Sequence, residues 1–291
     1  MQTESNKKFI LTRQTESWHV IDDVICKYYI HDIKKPIMVT FASLNSFLDQ
    51  TEIENGISPW GYDFVKKQGL NIISFSSINK NAWYRSNILY HFMMQLSSEL
   101  EVFPERLGYG GSMGGYGVSS YCNILKLDRI LIINPISTLN KSLVPWEYRF
   151  THDRENLDWE SGEVFDGAQA LASGYIIYDP LFDLDKKHAQ RYQNLIHLKV
   201  PGVGHSMPKH LQEMNMLKKT LISFIHNRLD PFDFHSDARK RRTIPRYYKW
   251  LLSKENKHLT KKRKHIIHIY QIKYYIFIHS KMLLKRLFSL S

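Results

Sequence analysis

The ten-residue run Gly108-Tyr109-Gly110-Gly111-Ser112-Met113-Gly114-Gly115-Tyr116-Gly117 constrains this chain more than any other stretch. Within it Gly110, Ser112 and Gly114 form a G-x-S-x-G pattern. Glycines two residues either side of a serine keep side chains out of a crowded crossing, so the pattern suits a sharp turn between a buried strand and a helix. The flanks fit that turn. Arg106-Leu107-Gly108-Tyr109 can be the strand, and residues 117–125 can form the following helix.

From residue 36 onward, short apolar, β-rich runs alternate with helical patterns, the signature of an α/β class with a mostly parallel sheet covered by helices on both faces. Strands are expected at 37–41, 71–75, 129–133, 175–178 and 194–198, besides the one before Ser112. Two earlier runs, 9–12 and 24–30, are expected to make an antiparallel start. A one-sided helix is predicted over 87–101, with Ile88, Leu89, Phe92, Met93, Leu96 and Leu100 at helical spacing. Residues 139–173 break the alternation and carry Trp146, Tyr148, Phe150, Trp159 and Phe165. This insertion reads either as a cap over a pocket or as a surface excursion anchored by its aromatics.

Charge divides the chain. Residues 229–291 hold 16 of the 40 Lys and Arg but only four of the 28 acids, a net charge of +12, so the first 228 residues are neutral overall. The expected organisation is a domain over 1–228, with the cap-like insertion at 139–173, and a basic, helical C-terminal extension over 229–291. The runs Arg239-Lys240-Arg241-Arg242 and Lys261-Lys262-Arg263-Lys264 accompany Tyr247, Tyr248, Trp250, Leu251 and Leu252. Basic helices with aromatic faces suit an anionic membrane surface, here through residues 236–291, or pack on their own domain or a partner; nucleic acid is the least favoured partner. Lys273, Lys281, Lys285 and Arg286 interrupt the last apolar segment too often for a bilayer span. Only Cys26 and Cys122 occur, with no zinc-ligand spacing, so neither a disulfide framework nor a metal is expected. The N-terminus lacks a secretory signal pattern, and the expected compartment is the cytoplasm, with peripheral association at the inner membrane face. No cofactor motif is present, and none is expected.

A serine hydroxyl is a weak nucleophile that needs a neutral imidazole as base and an acid to hold the imidazole's tautomer. His205, in Val203-Gly204-His205-Ser206, follows the last expected strand and precedes a helix expected from about Lys209 to Asn227. For the acid, residues 178–185 offer Asp179, Asp183 and Asp185. Asp179 is favoured because it closes a strand at an Asp-Pro step; Asp183 is the alternate, and Asp185 reads as the N-cap of a helix beginning at Lys186. An oxyanion needs two backbone N–H donors, one from Met113 and the other from the loop after Phe41, at Ala42 or Ser43. Trp83 either lines the substrate pocket or packs in the interior.

Serine, acid and histidine in this order on a strand-turn-helix frame resemble the α/β-hydrolase superfamily over about residues 8–228. The nucleophile elbow at Ser112 and the Gly204-His205 pair are the specific parts; the acid loop lacks the usual Gly-x-x-Asp and the oxyanion loop lacks His-Gly. The resemblance implies an α/β-hydrolase fold and a serine hydrolase acting on a small-molecule, lipid or glycan acyl ester or thioester through an acyl-enzyme at Ser112. An acyltransferase to a lipid or glycan alcohol is the near variant. A non-catalytic hydrolase-fold scaffold, binding a membrane or partner through its basic tail, is the reading from a different class.

Overall fold

The computed structural model describes residues 9–78, 83–162, 166–253 and 259–288. Its contacts divide the chain into two compact units, one running to Ile177 and including Leu184–His197, the other comprising Tyr178–Asp183 and the chain from Leu198 onward.

Eight strands, β1 (Glu16–Ile21), β2 (Val24–Tyr29), β3 (Ile37–Phe41), β4 (Asn71–Ser77), β5 (Arg106–Gly111), β6 (Arg129–Ile133), β7 (Ser173–Tyr178) and β8 (Ile196–Lys199), form a sheet in the order β1-β2-β4-β3-β5-β6-β7-β8. The β4-β3, β3-β5, β5-β6 and β6-β7 pairs are parallel, and β2 joins β4 and β1 antiparallel. Every residue of β3, β4 and β6 is buried. β3 and β6 are covered on both faces, which is why they read as largely apolar runs rather than as alternation, whereas β4 also buries Asn71, Ser74, Ser76 and Ser77. Phe41 pairs with Gly110 and Gly111 with Ile133, so the carboxyl ends of β3, β5 and β6 lie level, where ligand sites form in parallel sheets.

The helices of the first unit are α1 (Gln50–Glu54), α2 (Tyr62–Lys67), α3 (Asn87–Leu100), α4 (Met113–Tyr121), α5 (Thr151–Asn156) and α6 (Asp183–Ala189), whose first residue falls in the second unit. The Ser86 hydroxyl caps α3 by accepting the Leu89 N–H at 3.0 Å, and Leu89, Met93, Leu96 and Leu100 form its buried stripe.

Three local expectations are corrected. Residues 9–12 are not a strand: Phe9 packs edge-on against Phe92 at 4.7 Å and the Leu11 N–H bonds Glu99, so ring contacts rather than a ladder cover this apolar run. The first strand is instead β1, joined to β2 through Asp22 at φ 57°, a left-handed position that aspartate tolerates. The helix after Ser112 starts at Met113, four residues before the expected Gly117. And α6 starts at Asp183, which puts Asp185 inside the first turn instead of at an N-cap.

In the insertion, α5 and a 3-10 turn at Gly167–Gln169 are the only helical pieces among the described residues; Phe165 lies outside them. Phe150 and Trp159 stand edge-on to Trp83 at 5.1 and 5.5 Å. Arg85 donates to the carbonyls of Asp158 and Ser161 and to the Tyr116 hydroxyl, tying the insertion to α4. Aromatic packing and this guanidinium anchor the insertion.

The second unit carries α7 (Met207–Glu213), α8 (Leu217–Ile225), α9 (Pro231–Asp237), α10 (Pro245–Leu252) and α11 (Lys261–Phe288). The one helix expected over 209–227 is two, because Asn215 turns left-handed at φ 57°. Proline opens α9 and α10, where its missing N–H costs no helical bond. Ile267 and Tyr274, one stripe of α11, pack with Tyr248 and Leu251 of α10. Among the described residues no helix is long and apolar enough to cross a membrane.

Candidate functional site

In the first unit, Ser112 sits between β5 and α4 at φ 53°, ψ −120°. A non-glycine residue held there is strained by about 1–3 kcal/mol and persists only where its surroundings fix it. They do. The Ser112 N–H donates to the Ile133 carbonyl at 2.9 Å, and its own carbonyl accepts from Tyr116 at 3.1 Å. A Cβ on Gly110 would collide with the Gly114 carbonyl, and one on Gly114 with the Phe41 carbonyl. The two glycines of the motif therefore let the start of α4 close on β5 and on the end of β3.

Met113 is the first residue of α4, so its N–H has no acceptor within the helix and, with the helix dipole, favours negative charge beside Ser112. Of the two candidates for the second oxyanion donor, Ala42 commits its N–H to the Phe75 carbonyl at 2.8 Å. That leaves Ser43, whose hydroxyl lies 3.2 Å from that of Ser46. Trp83 is fully buried, with Tyr116, Phe150 and Trp159 edge-on to its ring.

In the second unit, Asp179 follows β7 and is fully buried. Its carboxylate accepts the backbone N–H groups of Leu181 (2.9 Å), Gly202 (2.9 and 3.0 Å), Val203 (2.8 Å) and Gly204 (2.6 Å). Burial raises its pKa against the lowering effect of these donors. Three consecutive donors fix the loop that leads into His205, and Gly202 and Gly204 turn left-handed at φ 85° and 67° to aim those N–H groups inward. The His205 ring is half-buried, tilted 6.3 Å from that of Phe182. Asp183, the alternate acid, begins α6.

A second polar cluster, in the first unit, escaped sequence reasoning. His188 Nε2 lies 2.9 Å from Glu147, and its Nδ1 accepts the Ser137 N–H at 3.1 Å with the Ser137 hydroxyl 2.9 Å away. Arg149 bonds both Glu147 and Asp185. This serine-histidine-carboxylate set imitates a catalytic one, but all three side chains are buried and Arg191 occupies the Ser137 hydroxyl at 2.7 Å. It is a structural network. Burial pushes Glu147 upward, yet the hydrogen bonds from His188 and Arg149 outweigh it and bring the carboxyl down to about 2. Burial pushes His188 below its usual value. Asp185 joins this network through Arg149 instead of capping a helix. Among the described residues no group of three or more His, Cys, Asp and Glu could hold a metal ion.

Similar solved structures include a hyperthermophilic esterase from the archaeon Pyrobaculum calidifontis, 12% identical over 75% of this chain and 88% of that one, with a TM-score of 0.50. Carboxyl esterase 2 from the mycorrhizal fungus Tuber melanosporum is 15% identical over 78% and 90% of the two chains, with a TM-score of 0.49. The chain has the α/β-hydrolase fold. A capsule O-acetyltransferase of Neisseria meningitidis serogroup A is also similar, at 11% identity over 69% and 93% of the chains and a TM-score of 0.44. No protein-family model and no curated protein matches the sequence.

Within the α/β-hydrolase fold, Ser112 follows β5, Asp179 follows β7 and His205 follows β8. Ser112, Met113 and Ser43 belong to the first unit, whereas Asp179, Asp183 and His205 belong to the second.

Proposed function

We propose that the protein is a serine hydrolase of carboxylic esters or thioesters. Ser112 attacks the acyl carbonyl, His205 takes the hydroxyl proton and returns it to the leaving group, and water then releases the acyl group with His205 again acting as base. The N–H groups of Met113 and Ser43 receive the oxyanion. Asp179 positions His205 through the loop backbone, and Asp183 is the alternate partner for the imidazole itself. The observation that carries this reading is the backbone of Ser112, strained at φ 53° and seated at the start of α4 between two obligatory glycines. A structural serine would need none of this.

A fluorophosphonate probe tests the reading. The expected result is one adduct, on Ser112, lost in Ser112→Ala and slowed severely in His205→Ala. A folded protein that takes up no probe supports the non-catalytic scaffold instead. Transfer to a lipid or glycan alcohol would use the same acyl-enzyme, and faster acyl transfer to an added alcohol than to water would favour it.

We also propose that residues 236–291 rest on an anionic lipid surface at the cytoplasmic face of a membrane. Ile266, Ile269, Ile272, Ile276 and Phe277 of α11 are exposed beside Lys261, Lys262 and Lys264, the composition of an interfacial helix. Sedimentation with phosphatidylglycerol vesicles, weakened by salt and absent with phosphatidylcholine, is the expected behaviour.

A further inference from the structure

The second unit contains a cavity of about 400 Å³ that the ester chemistry does not use. Tyr247, Tyr248 and Leu251 of α10 and Ile266, Ile267 and Tyr270 of α11 supply its apolar wall. Arg241, Arg242 and Arg263 stand around it. Its size falls within the range of about 300–1,000 Å³ typical of small-molecule sites.

The arginines are what an apolar crevice between two helices does not need. Three guanidinium-bearing side chains lining one cavity put like charges at its wall, which carboxylates would ordinarily offset. The acids of the neighbourhood are spent elsewhere: Asp237 pairs with Lys219 and Lys240, and Asp179 with the loop N–H groups. Among the described residues none of the three arginines has a carboxylate within ion-pair distance. Arg241 is held in place, one terminal nitrogen donating to the Ala238 carbonyl at 2.9 Å and the guanidinium lying 5.4 Å over the Tyr247 ring. Its Nε is nevertheless buried with no hydrogen-bond partner. A buried unpaired N–H on a cation costs stability unless an acceptor arrives.

We infer that this cavity binds a single anionic amphiphile, an alkyl chain carrying a carboxylate or phosphate. The chain lies along Leu251, Ile266, Ile267 and the tyrosines, and the head accepts from Arg241, Arg242 and Arg263. The cavity is also lined by Leu181 and Pro201. Leu181 donates to Asp179, and Pro201 precedes Gly202, whose added Cβ would lie 2.8 Å from the Tyr247 ring. Occupancy therefore bears on the loop that carries His205, which makes the site a place for a regulatory or product lipid within the same unit. Binding itself does not depend on ester chemistry.

The test is equilibrium titration of the full-length protein with dansylaminoundecanoate, below its micellar concentration. One site per chain is expected, displaced by dodecanoate and by dodecyl phosphate but not by dodecanol or by inorganic phosphate. Displacement by phosphatidylglycerol vesicles names a bilayer lipid as the source; displacement only by the soluble amphiphiles names a free one. The double change Arg242→Gln/Arg263→Gln alters only exposed side chains and is expected to weaken binding about tenfold or more. Lys209→Gln/Lys218→Gln, which removes equal charge from exposed positions of α7 and α8 outside the cavity lining, should leave affinity unchanged. No stoichiometric binding, equal loss in both double variants, or equal competition by dodecanol would overturn the inference.

Discussion

The Asp179 carboxylate accepts the backbone N–H of Gly204 at 2.6 Å and so holds the residue immediately before His205. An acid on a buried strand end thereby fixes the position of a histidine through the main chain, with Gly202 and Val203 sharing the same oxygens. Asp179→Asn keeps the shape but trades one acceptor oxygen for a donor, leaving buried N–H groups unpaired at about 1–3 kcal/mol. The expected outcome is a lower Tm together with a fall in kcat for a small ester. If Asp183→Asn lowers kcat more than Asp179→Asn does, Asp183 is the imidazole's partner.

Gly114→Ala should be far worse than its chemistry suggests. The added methyl meets the backbone carbonyl of Phe41, which belongs to a central strand and cannot swing aside. Overpacking of this kind costs about 1–3 kcal/mol, occasionally more. Chemical denaturation should show that loss, and esterase activity per folded molecule should fall as the start of α4 shifts.

The His188–Glu147 cluster should make stability fall with acid in two ranges of pH. Glu147, brought down to about 2 from an ordinary 4.5, contributes stability that is fully present above 4.5 and is lost as pH falls toward 2. His188, held below its ordinary 6.5, also costs stability as pH falls, because below 6.5 the unfolded chain takes up a proton that the folded imidazole resists. Urea midpoints should therefore decline from about pH 6.5 downward and decline again below about pH 4.5. Glu147→Gln should be less stable at neutral pH and should show a shallower second decline, since Asp128 and other carboxylates held below their ordinary values share it.

Trp83→Phe separates packing from substrate contact. A fully buried indole among Tyr116, Phe150 and Trp159 should cost about 0.5–3 kcal/mol on shrinking, with KM unchanged for the folded fraction. A shift in KM at constant Tm would return Trp83 to the pocket.

The elements that were legible from sequence are those whose signal is local. β3 and β6 fall on the expected residues because runs such as Ile37–Phe41 and Arg129–Ile133 are buried on both faces. The elbow was legible because steric exclusion writes glycine directly into the chain at 110 and 114. The false strand at 9–12 had the same apolar composition but finds its partners in Phe92 and Glu99, more than eighty residues away. Asp185 read as a cap for want of Arg149, which reaches it across 36 residues. The break in the helix after His205 rested on one backbone angle at Asn215, and asparagine alone does not announce it. Ser112 and His205 could be nominated from motif and order, whereas the loop bonds of Asp179 required the fold.

The central claim is a covalent acyl-enzyme on Ser112, and trapping it is the most direct measurement. The protein is mixed with p-nitrophenyl acetate, quenched in acid within the first turnover, digested and mapped by mass spectrometry. The account predicts an acetyl group on the peptide carrying Ser112, absent from Ser112→Ala and strongly diminished in His205→Ala. Release of p-nitrophenol by the wild-type protein with no acetyl on Ser112, or equal release by Ser112→Ala, would contradict it.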